Sequence, residues 1–405
     1  MTESKKKINK ILLAYSGGLD TSVAIKWLQD KYDAEIITYT ADLGQKQDWK
    51  AVEEKALATG AAKAYIDDIR EEFITDYVFP ALKVNALYQE KYPLATALAR
   101  PLISKRMVEI AKKENVDAFA HGCTGKGNDQ VRFEVSYKAL APEIKILAPL
   151  RDWEFKSRDQ EIEYAAANDI EVTATKDSPY SIDQNLWGVS IECGILEDPW
   201  EEPPADAYLW TKDVDDTPDE PVYVEIEFEK GVPTAVDGIS LSPIEIVNKL
   251  NDLGAEYGVG RIDMVEDRLV GIKSREIYEA PAGEILMTAH KGLESLTLDR
   301  DTKNYKASMA AKYAEMTYYG LWFSPLREAM DAFVDKSQQT VNGTARVKLY
   351  KSQCTLVGRK SDYSLYEHGL ATYDESDVFD HQSAPGFINL WALPVQVANQ
   401  KNRDK

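Results

Sequence analysis

The chain reads as an α/β protein built on a parallel sheet, with a second, α+β domain behind it, and three observations carry that reading. An apolar run at residues 11–14 passes through a Ser-Gly-Gly turn straight into residues spaced for a helix. Strand-like and helix-like segments then alternate through the first third of the chain. After about residue 176 prolines break that rhythm. Alternation of this kind lays strands side by side and puts helices on the sheet faces.

Residues 11–14 suit a strand buried on both faces, and Val23, Ala24, Trp27 and Leu28 fall at helical spacing. The turn between them has the makings of an anion cradle. Gly17 and Gly18 can take backbone angles other residues avoid and leave room for amide N–H groups to meet an oxyanion. Thr21 and Ser22 add hydroxyls where the helix begins, beside free N–H groups and the positive end of the helix dipole. A polyphosphate fits such a cradle; the plainer alternative is an ordinary strand-to-helix turn. It is not the common P-loop, because no Gly-x-x-x-x-Gly-Lys-Ser/Thr string occurs and no lysine follows the glycines. Asp20 would repel phosphate unless it caps the helix or holds Mg²⁺ beside the phosphates.

Beyond the cradle the pattern predicts a strand at 36–41, a helix over about 49–59 stopped by Gly60, and a strand near 64–66. Helical stretches near 71–87 and 102–114 precede a strand at 116–120, a helix over 131–140 and a strand at 144–148. In an open sheet of this type ligands bind beyond the carboxyl ends of the strands. Pro179, Pro199, Pro203, Pro204 and the acidic stretch 213–221 mark a new domain, with a strand at 222–228, a helix at 244–253 and a strand pair over 346–357. The tail from about 366 has weak periodicity, yet carries Phe387, Leu390 and Trp391, which need cover from another surface such as a neighbouring subunit. The division expected is 1–172, 173–365 and 366–405.

Composition narrows the function classes. With 405 residues and 44% hydrophobic, the chain can build two or three cores. Its 68 acidic against 48 basic residues give a net charge of −20, which opposes contact with a nucleic-acid backbone and favours small-molecule substrates. No apolar run is long enough to span a membrane and no signal-peptide core leads the chain, so a cytoplasmic protein is expected. Cys123, Cys193 and Cys354 are scattered, which argues against a disulfide framework or a zinc site. Cys123 reads as a small filler rather than a nucleophile, with His121 the one base in sequence reach.

The loop after the strand at 116–120, Gly122-Cys-Thr-Gly-Lys-Gly-Asn-Asp-Gln-Val-Arg-Phe133, is the richest in the chain. Its residues suit a zwitterion: Thr124 and Asn128 for a carboxylate, Asp129 for an ammonium, Arg132 for a second carboxylate. A solvated loop with a helix cap at Asn128 or Asp129 is the alternative.

The string Ser16-Gly-Gly-Leu-Asp-Thr-Ser22 resembles the signature of ATP pyrophosphatases, a group that includes GMP, NAD and asparagine synthetases and tRNA-modifying sulfurtransferases. Gly125-Lys-Gly-Asn-Asp-Gln-Val-Arg-Phe133 then resembles the hallmark of argininosuccinate synthases. Tyr39-Thr-Ala-Asp-Leu-Gly-Gln45, Leu98-Ala-Arg-Pro-Leu102, Asp183-Gln-Asn-Leu186, Gly258-Val-Gly-Arg-Ile-Asp263, Gly271-Ile-Lys-Ser-Arg275 and Ile277-Tyr-Glu279 are similar to further segments of that family, in its order.

The resemblance implies a Rossmann-like nucleotide-binding domain of the adenine nucleotide alpha hydrolase type, a synthetase domain and an oligomerisation tail. It implies the joining of citrulline to aspartate at the expense of ATP, through citrullyl-AMP, with AMP and pyrophosphate released, for arginine biosynthesis. ATP, as its Mg²⁺ complex, is assigned to Ala14, Tyr15, Ser16, Gly17, Gly18, Leu19, Asp20, Thr21, Ser22, Ala41 and Gly122. Aspartate is assigned to Thr124, Asn128 and Asp129, and citrulline to Tyr92, Asn128, Arg132, Ser181, Ser190, Glu266 and Tyr278. Asp20 and Asp129 are the candidate catalytic groups. Ala97 stands where some relatives have serine, so no side-chain contact to citrulline is expected there. No tightly bound cofactor, resident metal, nucleic acid or membrane partner is implied, and the assembly implied is a homotetramer. The rivals are a tRNA sulfurtransferase, which needs a thiol relay and a basic face, and a nucleotide-binding regulator without amino-acid pockets.

Overall fold

In the computed structural model, residues 7–171 and 179–403 are described. Five parallel strands form the first sheet: β1 (Lys10–Ala14), β2 (Glu35–Asp42), β3 (Lys63–Asp68), β4 (Ala118–His121) and β5 (Lys145–Leu147), in the order β3-β2-β1-β4-β5. β1 is central, and Ile11, Leu12 and Leu13 are fully buried, as a strand covered on both faces requires. The chain runs from β1 to one edge through β2 and β3, then returns to the other side of β1 with β4. The strand order therefore reverses between β1 and β4, whose ends are aligned at Ala14 and His121. Loops leaving those two ends open onto one crevice.

Two helices in this half differ from expectation, each because of a proline. The helix Ala95–Glu114 starts seven residues earlier than the sequence suggested and carries Pro101 inside it. Tyr92 Oη accepts the Thr96 N–H at 2.9 Å, so the helix start is anchored before the proline is reached. The predicted stretch 71–87 is broken into a short α turn at Arg70–Glu72, a π segment at Phe73–Val78 and an α segment at Phe79–Val84. Pro80 has no N–H to donate to the preceding turn, which favours the wider winding before it. Asn85, at φ 61°, ends the segment ahead of the predicted Leu87.

The second half holds two antiparallel sheets. One runs β11-β12-β7-β6, from β6 (Ser181–Asn185), β7 (Gly188–Glu192), β11 (Arg261–Asp267) and β12 (Lys273–Glu279). The other runs β10-β9-β8-β13-β14, from β8 (Val222–Glu229), β9 (Val232–Val236), β10 (Ile239–Ser240), β13 (Gly343–Tyr350) and β14 (Gln353–Lys360). The helix Pro281–Thr297 packs on β13 and β14. One apolar core joins the halves, from Leu12 and Phe119 through Leu102 to Ile285 and Val347. The boundary expected at 172/173 falls outside the described residues. Within the weakly periodic tail, residues Ala384–Arg403 form a helix, with Pro385 and Gly386 in its first turn and Pro394 inside it. Phe387, Leu390 and Trp391 are 63%, 72% and 75% exposed on it.

Candidate active site

The glycine turn expected between β1 and the first helix forms. Gly17 takes φ 80°, strained for any residue with a Cβ, and turns the chain from β1 into the helix Leu19–Tyr32, α1. Gly18 occupies the capping position and no side chain caps it, which leaves the first N–H groups of α1 to a ligand. Ser16 Oγ lies 3.1 Å from Thr21 Oγ1, and both residues line the cleft. Gly122, at the end of β4, approaches so closely that a Cβ there would stand 2.7 Å from Thr21 Cγ2.

Two cradle residues depart from their expected roles. Ser22 Oγ donates to Gly18 O at 2.8 Å and lies 3.1 Å from Tyr15 Oη, so this buried hydroxyl braces the turn instead of facing a ligand. Asp20 neither caps α1 nor lines the cleft. It faces Glu161 of the helix Arg158–Ala167, whose carboxyl is pushed up to about 7 by burial and by the Asp20 charge. A lysine from the helix Trp49–Ala58, α2, braces the turn from behind: Lys55 Nζ donates to Gly17 O at 2.9 Å, and it does not line the cleft.

Beyond β4, the second loop and the helix Asp129–Leu140 bring Thr124, Asn128, Asp129 and Arg132 to the same cleft, which encloses about 690 Å³. Asp129 is already paired. Its Oδ1 accepts from Arg132 Nη1 at 2.8 Å and its Oδ2 from Arg100 Nε at 2.8 Å. Burial alone would raise its pKa, but the two guanidinium groups outweigh it and hold the carboxyl below its usual range. A carboxylate so held is a poor proton acceptor, which argues against a base role for this candidate catalytic group. His121 is no better placed: Nδ1 accepts the Cys123 N–H at 3.3 Å, so Nε2 carries the proton and faces Glu134 Oε1 at 3.2 Å. Burial raises the pKa of all three thiols, with Cys354 at about 12, so none is poised as a nucleophile.

The second half closes the cleft. Ser181 on β6, Ser190 on β7, Glu266 on β11 and Tyr278 on β12 line it together with Tyr92 and Arg132. Ser190 and Tyr278 face each other in the β7–β12 register, and Tyr278 stacks on Tyr92 with ring centroids 3.9 Å apart. Glu266 Oε2 accepts from Tyr278 Oη at 2.6 Å. Burial raises the Glu266 pKa, against the phenol hydrogen bonds and the charges of Arg132 and Arg268. Ala97 is fully buried and does not line the cleft. The sequence reading missed Arg100, which lies between Asp129 and Asp183, and Arg268, between Glu192 and Glu276. Arg100 and Asp183 do fall in segments with family resemblance, but only the fold brings them together.

A parallel sheet whose order reverses beside a glycine-rich anion cradle, with a cleft completed by a second domain, defines a nucleotide-using enzyme of the ATP-pyrophosphatase class. Residues 10–171 match the arginosuccinate synthase N-terminal HUP domain and residues 180–398 the arginosuccinate synthase C-terminal domain. The chain belongs to the argininosuccinate synthase family, ligases that join citrulline to aspartate in arginine biosynthesis. It is 56% identical to the argininosuccinate synthase of Chlorobium luteolum over 96% of this chain and 98% of that one. With that of Pelodictyon phaeoclathratiforme the identity is 55%, over 98% and 99%. Among solved structures it resembles a U34-tRNA thiolase, NcsA, from Methanococcus maripaludis at 16% identity and a TM-score of 0.27, covering 44% of this chain and 62% of that one. That likeness is too slight to bear on activity.

Proposed function

We propose that this chain condenses citrulline and aspartate in two steps, with the cleft between the β1 and β4 loops and the second domain as the active site. The single observation that carries the proposal is that the cradle, the second loop and the serine, glutamate and tyrosine of the second domain line one cavity. Mg²⁺-ATP, the substrate complex, lays its phosphates against the uncapped start of α1, with Ala14, Tyr15, Ala41 and Gly122 beside the nucleotide. Citrulline lies among Tyr92, Asn128, Arg132, Ser181, Ser190, Glu266 and Tyr278. Aspartate binds at Thr124, Asn128 and Asp129.

A urea carbon resists amine attack because its nitrogens donate electron density and its oxygen leaves poorly. In the first step the ureido oxygen attacks the α-phosphorus, the bond to the β-phosphate oxygen breaks, and pyrophosphate departs into the cradle. In the second the aspartate amine adds to the activated carbon, the carbon–oxygen bond breaks, and AMP leaves with the former ureido oxygen. The chain supplies position and charge: donors at the pyrophosphate, and Arg132 and Glu266 aligning citrulline. With Asp129 and His121 both engaged, the proton of the aspartate amine passes to a phosphate oxygen of the leaving AMP. The exposed terminal helix is assigned to subunit assembly, in a cytoplasmic homotetramer. AMP formation that requires citrulline and aspartate together tests the reading; AMP formed with a tRNA and a sulfur donor instead would favour the sulfurtransferase.

A further inference from the structure

We infer that Tyr318, which no motif in the sequence singles out, is the positioning residue of the citrulline pocket, tying Asn128, Arg132 and Glu266 into one arrangement. The inference rests on the assignment of those three groups to the substrates made above. It adds a residue that lies behind the cleft lining and acts through those three groups.

Tyr318 is the last residue of the helix Arg300–Tyr318, and it is fully buried and absent from the cleft lining. The turn after it is pressed against the start of the helix Asp129–Leu140. Gly320, at φ 75°, comes so near that a Cβ would stand 2.8 Å from Arg132 Cα. A carbonyl at a helix end has no partner within the helix. That of Tyr318 accepts the Arg132 Nε–H at 2.9 Å, which fixes the guanidinium while Nη1 is held by Asp129. The Tyr318 ring stacks on Tyr88 at 3.6 Å, and the Arg132 guanidinium carbon lies 4.7 Å from its centre.

The hydroxyl works in both directions. It accepts from Asn128 Nδ2 at 2.7 Å and donates to Glu266 Oε1. Asn128 Oδ1 meanwhile accepts the Leu269 N–H at 2.9 Å, so Asn128 is locked between the β11–β12 turn and Tyr318. Glu266 thus takes one phenol on each oxygen, Tyr318 and Tyr278. A phenylalanine would keep the stack, the ring under Arg132 and the backbone carbonyl, and lose only the hydroxyl that links Asn128 to Glu266.

The loss has a signature that packing alone does not produce. Glu266 is surrounded by Arg132 and Arg268, by the phenols of Tyr88, Tyr92, Tyr278 and Tyr318, and by the Glu276 carboxyl. Burial already disfavours its charge, and the Tyr318 hydrogen bond works against that. Without the hydroxyl, Glu266 takes up a proton at a higher pH.

The experiment compares the full-length enzyme with Tyr318→Phe in the KM for each substrate and in the pH profile of kcat/KM for citrulline. The expected result is a rise of about tenfold in citrulline KM, as for one lost hydrogen bond to a charged group. ATP KM stays within about twofold, and the acid limb moves to higher pH. Tyr313→Phe, on the same helix with its hydroxyl on Asp331 Oδ1 at 2.9 Å, should move neither. Should Tyr318→Phe not fold, 3-fluorotyrosine at 318, a stronger donor, should move the acid limb to lower pH. Glu266→Gln, run in parallel, separates the two levels of the argument. If it raises citrulline KM while Tyr318→Phe leaves KM and acid limb in place, the positioning role is overturned alone. If Glu266→Gln leaves citrulline KM unchanged, the pocket assignment falls and the role of Tyr318 with it.

Discussion

Arg132 Nη1 donates a 2.8 Å hydrogen bond to Asp129 Oδ1, one helical turn before it, so two residues matched to opposite ligand charges already neutralise each other. With Arg100 on its other oxygen, Asp129 fixes two guanidinium groups that line the cleft. Asp129→Asn should cost about 1–2 kcal/mol of stability in urea unfolding, because both cations lose a half-buried partner while Arg100 keeps Asp183. The pH dependence has a definite sign. A carboxyl lowered in the folded state contributes fully above its unfolded value near 3.9, and the contribution is lost as pH falls through the folded value. The natural chain should therefore lose stability below about pH 4 more steeply than the variant. Equal acid slopes would mean that the pairing is not made in solution.

Arg132→Lys keeps the charge but cannot serve Tyr318 O and Asp129 in a fixed plane while leaving a second edge for a carboxylate. Citrulline KM should rise about tenfold or more, with ATP KM nearly unchanged. A larger effect on ATP than on citrulline would move Arg132 out of the amino-acid pocket.

The features legible in the sequence were local ones. The strand, the glycine turn and the start of α1 lie within a dozen residues, where hydrophobic period and turn chemistry determine the outcome together. The glycine-rich loop after β4 was legible for the same reason. Pro101 misled because a proline usually opens a helix or ends one, and only the Tyr92–Thr96 contact shows that this helix begins before it. Tyr318 was invisible, lying 190 residues from Asn128 and 52 from Glu266, the partners that give it meaning. Lys55 was missed likewise, since the carbonyl it holds is 38 residues away. The terminal helix was not legible: Phe387, Leu390 and Trp391 stood out as needing cover, but Pro394 and the opening Pro385-Gly386 obscure the helical period.

The Asp20–Glu161 pair predicts how ATP use responds to pH. Glu161, pushed up to about 7, is neutral in acid and gains a charge as pH rises through that value. A second carboxylate then stands behind the first turn of α1 and opposes the phosphates. ATP KM should rise about threefold between pH 6 and 8.5, the effect of one partly screened charge. Glu161→Gln should flatten the rise, and Asp20→Asn should move it to lower pH by letting Glu161 ionise nearer its ordinary range. A flat profile in the natural enzyme would remove the pair from any influence on ATP.

Removing the chain after Ser383 should lower the assembly's mass, because the terminal helix exposes Phe387, Ile388, Leu390, Trp391 and Val395 with nothing among the described residues to cover them. Light scattering of the truncated and full chains measures this directly. An unchanged mass would assign those side chains elsewhere.

The reaction sequence itself is tested by following one oxygen atom. If the ureido oxygen attacks the α-phosphorus, citrulline labelled there with heavy oxygen must transfer its label to AMP, since the carbon–oxygen bond breaks only in the second step. Phosphorylation by the γ-phosphate would give ADP and labelled inorganic phosphate. Direct attack of the aspartate amine on ATP would put no ureido oxygen into AMP. Mass spectrometry of the nucleotide and phosphate, taken after stoichiometric formation of argininosuccinate, distinguishes the three. Labelled AMP is the expected product. Unlabelled AMP would exclude citrullyl-AMP as the intermediate while leaving the family and the overall ligation intact.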